Sequence, residues 1–193
     1  DEWNAAWLND PSKAAPQILF EWAGIDGRHP FLDVPATYLA MLRHYDVTHN
    51  LGVKPPLGDR LVLTRRATPR FGELRRTGTA TVRLGELLQF EPGRVPLVAK
   101  IRLKLTLAGA ARKFFYKLPE LRMVLVSRNG RAMVSRVIAD TLADGVAVNF
   151  TPHDLASFER LMRNGELSDP FAMLQFSGEA LPLYEPEAEL EWF

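Results

Sequence analysis

Cysteine is absent from all 193 residues. That removes disulfide cross-links, thiolate nucleophiles and Cys-ligated metal sites together. It leaves the compartment open, because a periplasmic domain can lack cysteine as readily as a cytosolic one. Long apolar runs are missing too: none approaches the roughly eighteen residues that cross a bilayer as a helix. Histidine is scarce, and no two of His29, His44, His49 and His153 share HExxH spacing. There is no Walker loop, G-x-S-x-G elbow or G-x-G-x-x-G turn. Asp26, His29 and Asp33 could meet only by folding, so neither a metal site nor a cofactor is expected. No initiator methionine or signal-peptide pattern stands at the front. The chain opens on Asp1 and closes on Trp192 and Phe193 with apolar character still rising, as expected of a piece of a longer or processed protein.

Net charge is only +1, yet it is unevenly placed. Between Arg60 and Arg136 stand eighteen Lys or Arg against four Glu and no Asp, whereas the last fifteen residues hold five Glu and no base. A near-neutral total therefore conceals a basic middle and an acidic tail.

A chain of this length can bury one core, or one core with an appendage. In residues 1–58, Trp3 and Trp7 are four apart and share a face of a short helix. A helix is predicted over 11–24, and a second over 34–52 with Pro35 in its first turn and Tyr38, Leu39, Leu42 and Tyr45 as its stripe. Residues 54–59 read as a turn-rich connector. Beyond them strands dominate. The cleanest spans 95–109, where Leu97, Ala99, Ile101, Leu103, Leu105 and Leu107 alternate with Val98, Lys100, Arg102, Lys104 and Thr106. A period of two with one greasy and one basic face favours an antiparallel sheet. Phe114, Phe115 and Tyr116 follow in a short helical turn or crossing loop and are expected to close one end of the core. Asn129-Gly130 between two apolar runs predicts a hairpin with a type I′ turn. Thr151, Pro152 and Asp154 predict the start of a helix ended by Asn164-Gly165. Glu185, Glu187, Glu189 and Glu191 alternate along a closing strand and can pair with the basic one. The expectation is a mainly β fold: an antiparallel, jelly-roll-like β-sandwich over 59–193, with a helical or irregular segment over 1–58 packed on it and one connecting helix.

Residues 95–150 carry a resemblance. A basic alternating strand, the LAGAARKFFYKLP crossing, the SRNGRAMVSRVI hairpin and the LADGVAVNF strand follow one another. This order resembles the soluble β-rich domain that follows the hydrophobic part of some large bacterial polytopic membrane proteins, of the membrane glycosyltransferase or cell-envelope polysaccharide kind. The resemblance implies a domain on the periplasmic or extracellular face, with the cytoplasmic face as the alternative. It implies a non-catalytic role in docking, substrate guidance or protein contact, with the parent membrane domain as a partner. It transfers no functional residue, and residues 1–58 lie outside it.

Three functional expectations follow. The first is a non-catalytic accessory or interaction domain, with Trp3, Trp7 and Trp22 as glycan-platform candidates. The second is a hydrolase- or transferase-type enzyme whose site assembles near His29 and Asp33. The third is an anionic-surface module built on 94–136. There Lys100, Arg102, Lys104, Arg112, Lys113 and Lys117 supply charge, and Phe114, Phe115 and Tyr116 supply membrane or partner contact. Nucleic acid is not the expected anion, since no RNP, KH or zinc-finger pattern is present.

Overall fold

The computed structural model describes residues 1–24, 26–52 and 60–193. The front of the chain is α1 (Glu2–Asn9), β1 (Gln17–Glu21), α2 (Pro30–Asp33), α3 (Pro35–His44), β2 (Tyr45–Asn50) and β3 (Arg60–Arg65). The middle is β4 (Gly78–Arg83), β5 (Leu88–Gln89), β6 (Val98–Arg102), α4 (Leu107–Phe115), β7 (Leu121–Ser127) and β8 (Ala132–Val137). The remainder is α5 (Ala139–Leu142), β9 (Val146–Ala147), α6 (Leu155–Asn164), β10 (Phe171–Ser177), a 3-10 turn at Leu181–Leu183, and β11 (Glu187–Trp192).

These strands form three antiparallel sheets with the orders β1-β3-β2, β5-β10-β7-β8 and β4-β11-β6-β9. The expected mainly β, jelly-roll-like sandwich is therefore overturned. The fold is mixed α/β, with six helices dispersed along the described residues and three separate, unclosed sheets. The cause is a division of apolar residues between two clusters. One joins the two four-stranded sheets through Ile101, Leu121, Met123, Leu125, Leu174 and Leu190. The other joins the three-stranded sheet to α3 and α6 through Phe31, Tyr38, Leu42, Leu61, Leu63 and Phe158. The front of the chain thus builds a core of its own with α6. The expected boundary at 58/59 and the connector at 54–59 lie outside the described residues.

Local signals explain several departures. The helix predicted over 11–24 is a turn followed by β1, where Ile18 and Phe20 pack on the second cluster and Leu19 is exposed. That alternation satisfies a strand once β3 supplies its backbone partners. The helix predicted over 34–52 stops at His44, and the β-branched Val47 and Thr48 lie in β2. The hairpin β7–β8 forms as predicted, but its turn differs. Only Gly130 takes a positive φ, of 81°, and Ser127 N–H donates to Arg131 O at 2.9 Å. This is the three-residue loop closed by a left-handed glycine, whereas type I′ needs two positive φ values. In α6 the N-cap is Asp154, not Thr151. Its carboxylate accepts from Ser157 N at 2.8 Å while Ser157 Oγ accepts from Asp154 N at 2.9 Å, a reciprocal box. Gly165 ends the helix at φ 76°, as predicted.

The alternating strand over 95–109 is shorter than its pattern. β6 ends at Arg102, Leu105 makes one isolated bridge to Tyr184, and Thr106 already caps a helix. Leu103 and Leu105 are half-buried against the first cluster, so the greasy side does turn inward. Leu107 leaves that face altogether.

Candidate functional site

Thr106 begins α4 for three local reasons. Its hydroxyl accepts from Gly109 N at 3.0 Å, and its own N–H donates to Leu183 O at 3.0 Å. Arg112 and Lys113 lie in the last turn, where a cation suits the helix dipole. Gly109 fixes how the helix docks. A Cβ there would lie 2.0 Å from Leu183 O, so only glycine lets α4 rest on the 3-10 turn.

Gly109 is also the single buried residue of α4. With one hundred degrees between successive residues, Leu107, Ala110, Ala111, Phe114 and Phe115 share the opposite side. All five are exposed: Leu107 at 93%, Phe114 at 84% and Phe115 at 71%. The helix is the wrong way round for a core element: Gly109 is its one inward contact, and its greasy side faces outward. Phe114 and Phe115 meet edge to face at 5.0 Å between centroids. Tyr116, 74% exposed, continues the patch. The expectation that Phe114, Phe115 and Tyr116 close the core is thus overturned. The side chain that fills the end of the core beside α4 is Leu105, inserted under Gly109.

The expected basic residues divide into two groups. Lys100, Arg102 and Lys104 are engaged on the sheet. β11 pairs with β6 so that Glu189 faces Arg102 and Glu191 faces Lys100. Lys104 Nζ lies 2.5 Å from Glu189 and Arg102 lies 3.7 Å from Glu191, while Lys100 Nζ sits 5.1 Å over the Phe193 ring. The hydrogen bond from Lys104, then its charge, holds the Glu189 carboxyl below the usual range. Arg112, Lys113 and Lys117 instead surround the aromatic patch, all exposed. Lys113 reaches Asp140 at 3.5 Å, and Arg112 and Lys117 make no ion pair among the described residues.

Behind the last turn of α4 opens a cleft of about 390 Å³. Its walls include Leu103, Leu105, Leu118, Val137 and Ile138, and its charged lining is Lys113, Lys117, Arg136 and Asp140. Volumes of this order suit small ligands. Arg136 is half-buried, and among the described residues its one ion-pair partner is Glu120, at 3.9 Å, which is already held by Arg122 at 2.9 Å. The Tyr184 phenol also lines the cleft, and burial followed by the charge of Asp140 pushes its pKa up.

Comparison with family models, with curated proteins and with solved structures returned no significant match.

The other expected residues lie elsewhere. Trp3 and Trp7 are exposed on α1 with centroids 5.4 Å apart and planes tilted by 40°. Trp22 is not with them; it is half-buried, edge-on to His29 at 5.3 Å and to Phe31 at 5.4 Å. His29 is buried and both ring nitrogens are used. Nε2 donates to Pro152 O at 2.9 Å, and Nδ1 accepts from Phe31 N at 3.3 Å. Burial depresses its pKa to about 4, against the opposing pull of the Pro152 carbonyl. Asp33 is held by Arg28 at 2.9 Å. An imidazole with no free lone pair is no general base. Among the described residues no cluster of His, Asp and Glu could hold a metal, and no helix is long and apolar enough to cross a membrane.

Leu107, Ala111 and Tyr184 were not singled out for the site by sequence, and Arg136 entered only as part of the basic 94–136 region. Leu107 was masked by the period-two run before it. The i, i+4, i+7, i+8 spacing of Leu107, Ala111, Phe114 and Phe115 was the signal available.

Proposed function

We propose that this chain is a non-catalytic interaction module that docks on an anionic membrane surface through α4 and the Tyr116–Lys117 segment. The observation that carries the reading is the outward apolar side of α4, bordered by Arg112, Lys113 and Lys117. Interfacial helices combine such a face with flanking bases, the apolar side entering the headgroup boundary and the bases meeting anionic lipid. A protein partner with an apolar groove would satisfy the helix alone. The unpaired Arg112 and Lys117 favour a surface carrying dense negative charge. One turn-rich patch binds weakly, so the module acts beside a bilayer to which a parent membrane domain already holds it. The periplasmic or extracellular face is the proposed location, from the resemblance of residues 95–150.

Sedimentation with vesicles tests this. The chain should pellet with phosphatidylglycerol-containing vesicles, stay in solution with pure phosphatidylcholine, and be released by salt as surface charge is screened. Failure to pellet with anionic vesicles at low salt sinks the proposal, and so does binding that ignores lipid charge.

Glycan contact retains one observation, the exposed Trp3–Trp7 pair. Silence across a broad glycan array would remove it.

A further inference from the structure

We infer that the cleft behind α4 is a binding site for a single lipid phosphate headgroup together with the first methylenes of its chain. The inference deepens the docking proposal, on which it rests for the presence of a lipid surface at α4. The walls dictate half of the ligand. Leu103, Leu105, Leu118, Val137 and Ile138 give the open cleft an apolar wall, while polar groups line as much of it. The rim dictates the other half. Lys113, Lys117 and Arg136 oppose one carboxylate, Asp140.

The donors are available in different degrees. Lys117 makes no ion pair among the described residues. Lys113 holds Asp140 at a loose 3.5 Å, with Asp140 largely in solvent. Arg136 is the informative one. Its side chain is 22% exposed, its one ion-pair partner among the described residues stands 3.9 Å away, and that partner is shared with Arg122. The guanidinium donors without a protein partner thus open on the cleft, placed to grip an oxyanion in a planar fork. The Tyr184 phenol stays protonated at neutral pH and adds a neutral donor at the base of the cleft. A phosphate oxygen is the acceptor that suits several donors at once; a chain attached to it fits the leucine wall. Because Lys113 lies on α4 itself, the same helix that meets the surface also borders the cleft.

The experiment is calorimetric titration of the full chain with short-chain phosphatidylglycerol below its micelle concentration. Inorganic phosphate and short-chain phosphatidylcholine are the comparison ligands. The anionic lipid should bind at least about tenfold tighter than either, since inorganic phosphate lacks the chain and phosphatidylcholine sets a quaternary ammonium beside its phosphate, against a basic rim. Lys117→Gln, at an exposed position, and Arg136→Gln should each weaken it about tenfold, the loss expected for one charge-assisted hydrogen bond. Lys117→Gln keeps the test valid if Arg136→Gln fails to fold. Equal binding of phosphate means a bare anion site and overturns the inference. Equal binding of phosphatidylcholine means a greasy patch and overturns it as well, as does no binding at all. Failure here is separable from failure of docking. Vesicle binding without soluble-lipid binding removes the cleft alone, and soluble-lipid binding without vesicle binding removes the docking proposal alone.

Discussion

Replacing Phe114 and Phe115 together by Ser should weaken vesicle docking about a hundredfold while leaving the fold intact. The two rings are 84% and 71% exposed in the free chain, equivalent to about one and a half whole Phe side chains available for transfer out of water. At about 2 kcal/mol for a fully buried Phe, docking would lose about 3 kcal/mol, roughly a hundredfold in the partition coefficient. The bases contribute on a similar scale, about 1 kcal/mol for each Lys or Arg at an anionic surface. Phe114→Ser/Phe115→Ser should therefore keep a small residual affinity that salt removes entirely. Because neither ring is covered in the free chain, thermal unfolding should change by no more than about 0.5 kcal/mol. The assay is vesicle sedimentation across a lipid titration, with thermal unfolding of the same protein. A partition coefficient within threefold of the parent chain refutes the reasoning. A large drop in stability refutes it differently, because it would mean that the rings are buried in the folded chain.

Three further outcomes test the frame that holds the site. His29 titrates at about 4 when folded against 6.5 when free, so the unfolded chain takes up the proton first as pH falls. Stability is complete above about pH 6.5 and declines toward pH 4, by about 2 kcal/mol at pH 5 and about 3 kcal/mol in full. Urea unfolding from pH 7.5 to 5 should show that slope, and His29→Gln should flatten it to the smaller contribution of His44, whose pKa partial burial also lowers; an unchanged slope in the variant discards the assignment. Arg70 donates to Leu42 O at 2.9 Å, Tyr45 O at 3.1 Å, Met162 O at 2.7 Å and Asp46 at 2.6 Å, joining α3, β2 and α6. Arg70→Met leaves three carbonyls and a carboxylate short of a donor and should cost about 3 kcal/mol by chemical denaturation, whereas a loss under about 1 kcal/mol would show that solvent replaces it. Asp154→Ala removes the carboxylate half of the capping box, leaving the bond from the backbone N–H of residue 154 to Ser157 Oγ, and should cost about 1 kcal/mol, with Asp154→Asn recovering most of it.

Much of the β framework could be read from residue pattern. The β7–β8 hairpin and β11 fall where alternation and turn residues place them. So does the pairing of the acidic tail strand with the basic strand, since opposite charges repeat at the same period on both. The errors arose where a local pattern had two physical solutions. Residues 17–21 carry too few apolar positions to separate helix from strand, and β3, distant in sequence, decides. The alternation through Leu103, Leu105 and Leu107 continues past the point where Thr106 caps a helix, so period alone overran the strand. The fold class was missed because sharing of apolar residues between two cores is a tertiary property. α6 was recognised as a helix, but nothing local says that Phe158 and Leu161 pack on the front sheet. The site was half legible. RKFFYK announced bases around aromatics, whereas the outward direction of those aromatics depends on Gly109 meeting the Leu183 backbone.

If docking occurs as proposed, the apolar side of α4 enters a lipid surface. The absence of native cysteine permits a single spin label at Ala111→Cys, on that side of the helix, and another at Leu19→Cys on the exposed side of β1. Power-saturation measurements should show the Ala111 label passing from water to an oxygen-rich, nickel-poor environment when phosphatidylglycerol vesicles are added, with the Leu19 label unchanged. An Ala111 label that stays as open to water on bound protein as on free protein would contradict the account.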